Sequence, residues 1–316
     1  MREIRSVHSL LMLPALALAS ACGDDGGGDV DATPEFDATP EFDAAPEIDA
    51  APPGQAVTIN FAVKVGAQDA ACGTAAPYQG LGTASTAVTF NDIRFYVSNI
   101  RLLSGSVEVP MALEQDDIWQ YRDVALLDFE NGTAGCATSG NTETNTRVVG
   151  TAPPGSYDGI VFELGVPFEL NHTDLTTVPS PLNVAAMYWA WALGRKFLRL
   201  DIAVEGGGGW DMHLGSAMCD SPGPTAPPAS GCDRVNRPSI RLTGFDPTTD
   251  TDTVVLDLAE LLADSDLSTD TGGTPGCQSF PDDAGDCTPL FPNLGLDFAT
   301  GDCVDGCQAQ SAFRVE

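Results

Sequence analysis

Between residues 57 and 65 apolar and polar positions alternate, with Val57, Ile59, Phe61, Val63 and Val65 on one side of an extended segment. Side chains alternate across a strand, so this period predicts a strand with one face on a core. Similar signals recur over 88–103, 107–113, 119–129, 159–166 and 238–245, and Leu198–Val204 alternates again. Gly-, Pro-, Asn- and Asp-rich turns separate these segments, and no long helical period interrupts them. The pattern predicts an all-β fold, an antiparallel β-sandwich or barrel-like domain with long loops, and one short helix over 256–262.

Upstream of residue 57 the chain changes character. Arg2 and Arg5 precede an apolar stretch over 10–18 that is too short to span a membrane, and Ala19-Ser20-Ala21-Cys22 follows. This order predicts a lipoprotein signal over 1–21 and acylation of Cys22, which anchors the exported protein to a membrane on the periplasmic side or at the cell surface. In the next stretch Asp31-Ala-Thr-Pro-Glu-Phe repeats at Asp37 and degenerates at Asp43 and Asp49, and no basic residue occurs between Cys22 and Val57. Such a segment buries too little apolar surface to offset its ordering entropy, so 22–56 is expected to be a disordered acidic tether and 57–316 the folded domain.

Nine cysteines occur in the chain, and setting Cys22 aside leaves an even eight. In an oxidising compartment eight cysteines read as four disulfides, with 105 possible connectivities. Locality favours Cys219–Cys232, Cys277–Cys287 and Cys303–Cys307, which leaves Cys72 with Cys136. No Cys-x₂-Cys pair occurs, so a zinc or iron–sulfur site is not expected. With 14 Lys and Arg against 45 Asp and Glu the net charge is −31, which excludes a phosphate-neutralising surface and hence nucleic acid as a partner. No nucleophile-elbow, His-Glu-x-x-His or P-loop motif is present, and the chain is not expected to be an enzyme. Asp264, Asp266 and Asp270 form an acidic run without the closing glutamate of an EF-hand. That run supports an alternative function, a calcium-stabilised adhesion or carbohydrate-binding module at the cell surface.

The chain holds three histidines, and only His172 and His213 lie past the leader. They flank Met187-Tyr188-Trp189-Ala190-Trp191-Ala192-Leu193. If 187–193 is extended, Met187, Trp189, Trp191 and Leu193 share a face, which ordinarily means core. Imidazole with thioether sulfur also suits Cu(I), a soft ion. Several segments together resemble the MbnP family of exported copper-binding proteins. They are Cys72-Gly73, Tyr78-x-Gly80-Leu81-Gly82, Ile93-Arg94-Phe95-Tyr96-Val97-Ser98, Leu126-Leu127-Asp128-Phe129-Glu130, Phe162-x-Leu164-Gly165-Val166-Pro167, Leu170-Asn171-His172, the Trp segment, and His213-Leu214-Gly215-Ser216 leading to Cys219. The resemblance implies a MauG-like dihaem partner, MbnH-like, that oxidises a tryptophan to kynurenine. Trp189 and Trp191 are both candidates for that modification. The implied Cu(I) ligands are His172, His213 and the oxidised tryptophan, with Met187 as a further option. Indole nitrogen is a donor only, so an unmodified tryptophan is a poor ligand. The chain has no Cys-x-x-Cys-His haem attachment motif, so the oxidant has to come from another protein.

Overall fold

The computed structural model describes residues 54–74, 76–138, 142–190, 192–249 and 251–316. The leader, Cys22, the tether as far as residue 53, and Trp191 lie outside the described residues. The first predicted strand runs Gln55–Val65, and Val57, Ile59, Phe61 and Val63 are buried along it as the alternation requires. It lies in a sheet ordered Phe313–Val315, Thr253–Asp257, Gln55–Val65, Arg147–Ala152, Ala112–Leu113. The second sheet is built on one long strand, Thr86–Ser104. Along its length that strand pairs with Tyr78–Leu81, Val107–Pro110, Val124–Asp128, Gly159–Leu164 and Leu198–Val204, and Gly209–Leu214 follows Leu198–Val204 as a hairpin.

The two sheets meet through phenylalanines. Phe61 and Phe313 from the first sheet pack against Phe95 and Phe162 of the second, with ring centroids 5.4 to 6.1 Å apart and edge-on geometry. Such edge-to-face pairs add to the area burial of the rings. The architecture is β-sandwich-like with little helix, as the hydrophobic pattern predicts. The short helix Leu258–Leu261 falls inside 256–262 and is capped by Asp257, which accepts from the Ala259 N–H at 2.9 Å.

Three details differ from the sequence reading. Two ladders are parallel, Gln55–Val65 with Thr253–Asp257 and Gly209–Leu214 with Gly276–Cys277, so the sheets are mixed. The 107–113 stretch divides at Met111 into Val107–Pro110, which pairs with the long strand, and Ala112–Leu113, which crosses to Arg147–Ala152 in the first sheet. The 119–129 stretch is a small hairpin, Gln120–Tyr121 against Val124–Asp128, turning at Arg122 with φ 55°. The eight cysteines form four disulfides, Cys72–Cys136, Cys219–Cys232, Cys277–Cys287 and Cys303–Cys307. No helix among the described residues is long and apolar enough to cross a membrane.

Beneath the long strand lies a buried acidic cluster. Asp128 ends Val124–Asp128 opposite Arg94, and both are almost fully buried together with Glu130 and Asp92. Burial pushes the Asp128 carboxyl up to about 7 against the pull of Arg94, and the neighbouring Glu130 and Asp92 add to the rise. The folded state therefore keeps a proton there that the unfolded chain loses above a pH of about 4. The folded state binds more protons across that window, so stability falls as pH rises from about 4 to about 7. Asp128→Asn should flatten the pH dependence of urea unfolding over this range by up to about one proton. An unchanged slope would mean that Asp128 is ionised in the fold.

Candidate metal centre

The Trp segment forms a hairpin with a short turn. Ala185–Met187 is a 3-10 turn, Tyr188–Ala190 is a strand, and it pairs with Gly194–Arg195. The single extended face expected over 187–193 therefore does not form. Met187 closes the turn and is fully buried in the core, Leu193 lies in the reversal with its N–H on Ala190 O, and Trp189 is half-buried. Gly194 takes φ 75° here, and a Cβ at that position would run into the Asn171 amide at 2.5 Å.

A buried arginine clamps this hairpin to the segment carrying His172. Arg195 is fully buried, and its guanidinium donates to the carbonyls of Leu182 at 2.8 Å, Leu170 at 2.7 Å, Asn171 at 2.6 Å and Thr173 at 3.4 Å. Its own N–H donates to Asn171 Oδ1 at 2.7 Å. That bond fixes the amide, so Asn171 Nδ2 faces His172 Nε2 at 3.2 Å and donates to it. His172 closes the helix Phe168–Asn171, its ring tilted at 54° against Phe168 with centroids 5.1 Å apart. Its Nε2 also lies 3.6 Å from Cys232 Sγ, but that sulfur is bonded to Cys219 and offers no thiolate.

His213 stands on the other side of the hairpin, on Gly209–Leu214. Its ring packs against Trp189 with centroids 6.4 Å apart at 60°. Trp189 is held by Phe280 at 5.3 Å, by the Lys196 ammonium 5.9 Å from its ring centroid, and by Gly215. A Cβ on Gly215 would lie 2.4 Å from Trp189 Cζ3, so the indole rests on bare backbone. Burial, then the neighbouring Arg199, pulls the Lys196 ammonium down to about 8. His213 Nε2 lies 2.6 Å from Asp201 Oδ1, whereas Nδ1 is buried and has no hydrogen-bond partner among the described residues.

The carboxylate next to His213 belongs to a grid that the sequence reading missed. Across three neighbouring strands Arg94, Arg199 and His213 stand directly opposite one another, as do Asp92, Asp201 and Asp211. Opposed residues of antiparallel strands share a face, so a row of basic side chains lies beside a row of carboxylates. The pairs run between the rows. Arg94 binds Asp92, Arg199 binds Asp92 at 3.2 Å and Asp201 at 2.5 Å, and His213 binds Asp201. Burial acts to raise the Asp201 carboxyl, but hydrogen bonds from His213 and Arg199 hold it well below the usual carboxylate range. Burial and the neighbouring Asp201 raise Asp211. Arg199 also donates to Ala186 O at 2.9 Å and so ties the grid to the turn preceding Trp189.

Of the two imidazoles, which lie in separate clusters, His213 offers a nitrogen to a soft metal, whereas His172 Nε2 accepts from Asn171. His213 Nδ1 is an orphaned buried nitrogen beside the Trp segment, and imidazole suits copper. A family model described as MbnP matches residues 54–279. The chain belongs to the MbnP family. A solved structure, MbnP from Methylosinus trichosporium, is similar at 34% identity over 83% of this chain and 98% of that one, with a TM-score of 0.70. No curated protein matches the chain. Membership of the MbnP family supports an association with copper. The acidic run over 264–270 does not converge. Asp266 accepts from the N–H and hydroxyl of Ser268, and Asp270 from the Gly272 N–H, so these two carboxylates close separate turns.

The Gly215 contact gives a direct test of this packing. Gly215→Ala should displace the Trp189 indole, changing the near-UV circular dichroism and costing about 1–3 kcal/mol in denaturant unfolding, as overpacking does. A variant with parental spectrum and stability would show that the indole does not rest on Gly215.

Proposed function

We propose that this protein is an exported, lipid-anchored copper-binding protein that holds one Cu(I) between His172, His213 and a kynurenine formed from Trp189. The observation that carries the reading is the edge-on packing of Trp189 against His213, whose Nδ1 has no hydrogen-bond partner among the described residues. The same hairpin is fastened through Asn171 and Arg195 to the residue preceding His172, so one rigid element lies against both imidazole-bearing segments. Copper would supply a soft acceptor for neutral nitrogen donors. Met187, sealed in the core, is assigned a packing role.

Unmodified indole offers no lone pair to a metal. Taking two oxygen atoms from water into the pyrrole double bond removes four electrons and four protons, and hydrolysis by a third water releases the formyl group as formate and leaves kynurenine, with an aryl amine and a ketone. The electrons have to leave through another protein, and a MauG-like dihaem partner is the oxidant that the family resemblance implies. An acidic chain of charge −31 favours a basic docking patch on that partner. Acylated Cys22 would provide the anchor, and the four disulfides suit an oxidising compartment.

Coexpression with the dihaem partner should convert Trp189 to kynurenine, and expression alone should not. Tandem mass spectrometry of the peptide spanning Met187 reads the loss of one carbon and gain of one oxygen, and an unmodified Trp189 after active coexpression would sink the assignment. In competition with a Cu(I) chelator, His172→Ala and His213→Ala should each weaken the matured protein by more than the ~10–100-fold that losing a supporting residue costs. Parental binding by both variants would remove them from the site. Metabolic palmitate labelling should tag the parent and spare Cys22→Ser, and equal labelling of the two would exclude the anchor.

A further inference from the structure

The imidazole of His213 has two nitrogens in opposite circumstances. Nε2 lies 2.6 Å from Asp201 Oδ1, and Nδ1 is buried with no hydrogen-bond partner among the described residues. A carboxylate only accepts hydrogen bonds, so at this distance Nε2 has to carry the proton. In neutral imidazole the lone pair then sits on Nδ1, the atom a metal would meet. From this geometry we propose that Asp201 is a positioning residue that holds His213 in the Nε2–H tautomer and turns Nδ1 toward the metal. This inference rests on the copper reading for the identity of the ion, and on the grid alone for the tautomer.

Asp201 is itself immobilised. Arg199 Nε lies 3.0 Å from Oδ2 and 3.2 Å from Oδ1, and Arg199 Nη2 donates to Oδ2 at 2.5 Å. Arg199 is in turn held by Asp92 at 3.2 Å and by Ala186 O at 2.9 Å. The carboxylate therefore cannot swing away from His213 without breaking the fork, and the imidazole plane is fixed from behind. Carboxylate–histidine pairs of this kind orient a ligand and raise its basicity. The order Arg199-x-Asp201 on one strand and Asp211-x-His213 on the next places Asp201 diagonally beside His213 and directly opposite Asp211. Asp201, Asp211 and His213 also bring ligand atoms within 4.8 Å of one another, so a competing arrangement has the carboxylates bind a hard cation directly. Occupying Nε2 with a proton argues against that arrangement, because it leaves His213 no lone pair on the carboxylate side.

The metal-free folded protein, labelled with ¹⁵N-histidine, supplies the test. Long-range ¹H–¹⁵N spectra report the tautomer of each ring, and His213→Gln assigns the signals. The parent should show His213 protonated on Nε2. Asp201→Asn presents an amide N–H to the same nitrogen and should move the proton to Nδ1, with Cu(I) affinity of the matured protein falling ~10–100-fold. Asp211→Asn, in the same carboxylate row, should leave the tautomer as in the parent. A parent protonated on Nδ1 would overturn the proposal, as would an Asp201→Asn variant with parental tautomer and parental Cu(I) affinity. So would X-ray absorption of the loaded parent showing carboxylate oxygen bound to the metal. If Asp201→Asn does not fold, the parent spectrum alone decides. A matured parent that binds no Cu(I) would defeat the copper reading and leave the tautomer result standing.

Discussion

Charge compensation inside the second sheet constrains everything around it. Asp92 and Arg94 on the long strand are almost fully buried, and a buried charge without a partner is strongly unfavourable. They pair with each other, and Asp92 gains Arg199 as a second partner only if Leu198–Val204 pairs in the observed register, which places Asp201 opposite Asp92 and Arg199 opposite Arg94. A one-residue slip would turn every one of these side chains to the opposite face. The same register places Leu198, Leu200 and Ile202 in the core, so apolar burial and ion pairing select a single alignment. The hairpin to Gly209–Leu214 then brings His213 into the grid, and Gly206, Gly207 and Gly208 supply the positive φ values of that turn.

A second buried charge works by different means. No salt bridge to Arg195 occurs among the described residues, and four main-chain carbonyls surround its guanidinium. Five N–H donors in a planar fork suit such a task, which a lysine could not perform. The carbonyls come from the segments on both sides of His172, so the arginine fastens a helix end and a hairpin to one point. The candidate metal centre thus stands on two polar supports, the grid behind His213 and the guanidinium beside His172.

Much of this was readable in advance where a segment has a single exposed face. Gln55–Val65, Thr86–Ser104 and Leu198–Val204 carry clean alternation or long β-branched runs, and each folds as a strand. Gly209–Leu214 was overlooked because it follows a glycine run that reads as loop, although Trp210, Met212 and Leu214 do alternate inward. Missing that strand hid the grid, since Asp201 meets His213 only across the hairpin. Counting back from the Ala203–Gly209 pair that closes the turn sets Asp201 opposite Asp211. The clamp had no such signal. Arg195 looks like a surface charge in the sequence, and its carbonyl partners are chemically anonymous. The face expected to unite Met187 with Trp189 failed because a 3-10 turn rotates Met187 into the core before the strand begins.

The parallel ladder between Gln55–Val65 and Thr253–Asp257 bears on the order in which the domain assembles. Phe313–Val315 completes the same sheet, and Lys64 pairs with Glu316, 252 residues away. Contacts this distant form only after loop closure has been met in full, which slows folding. A chain delivered from its N-terminus therefore holds its first strand without that parallel neighbour while some 190 residues follow. Until then that edge of the strand keeps its N–H and C=O groups unpaired and open to another strand.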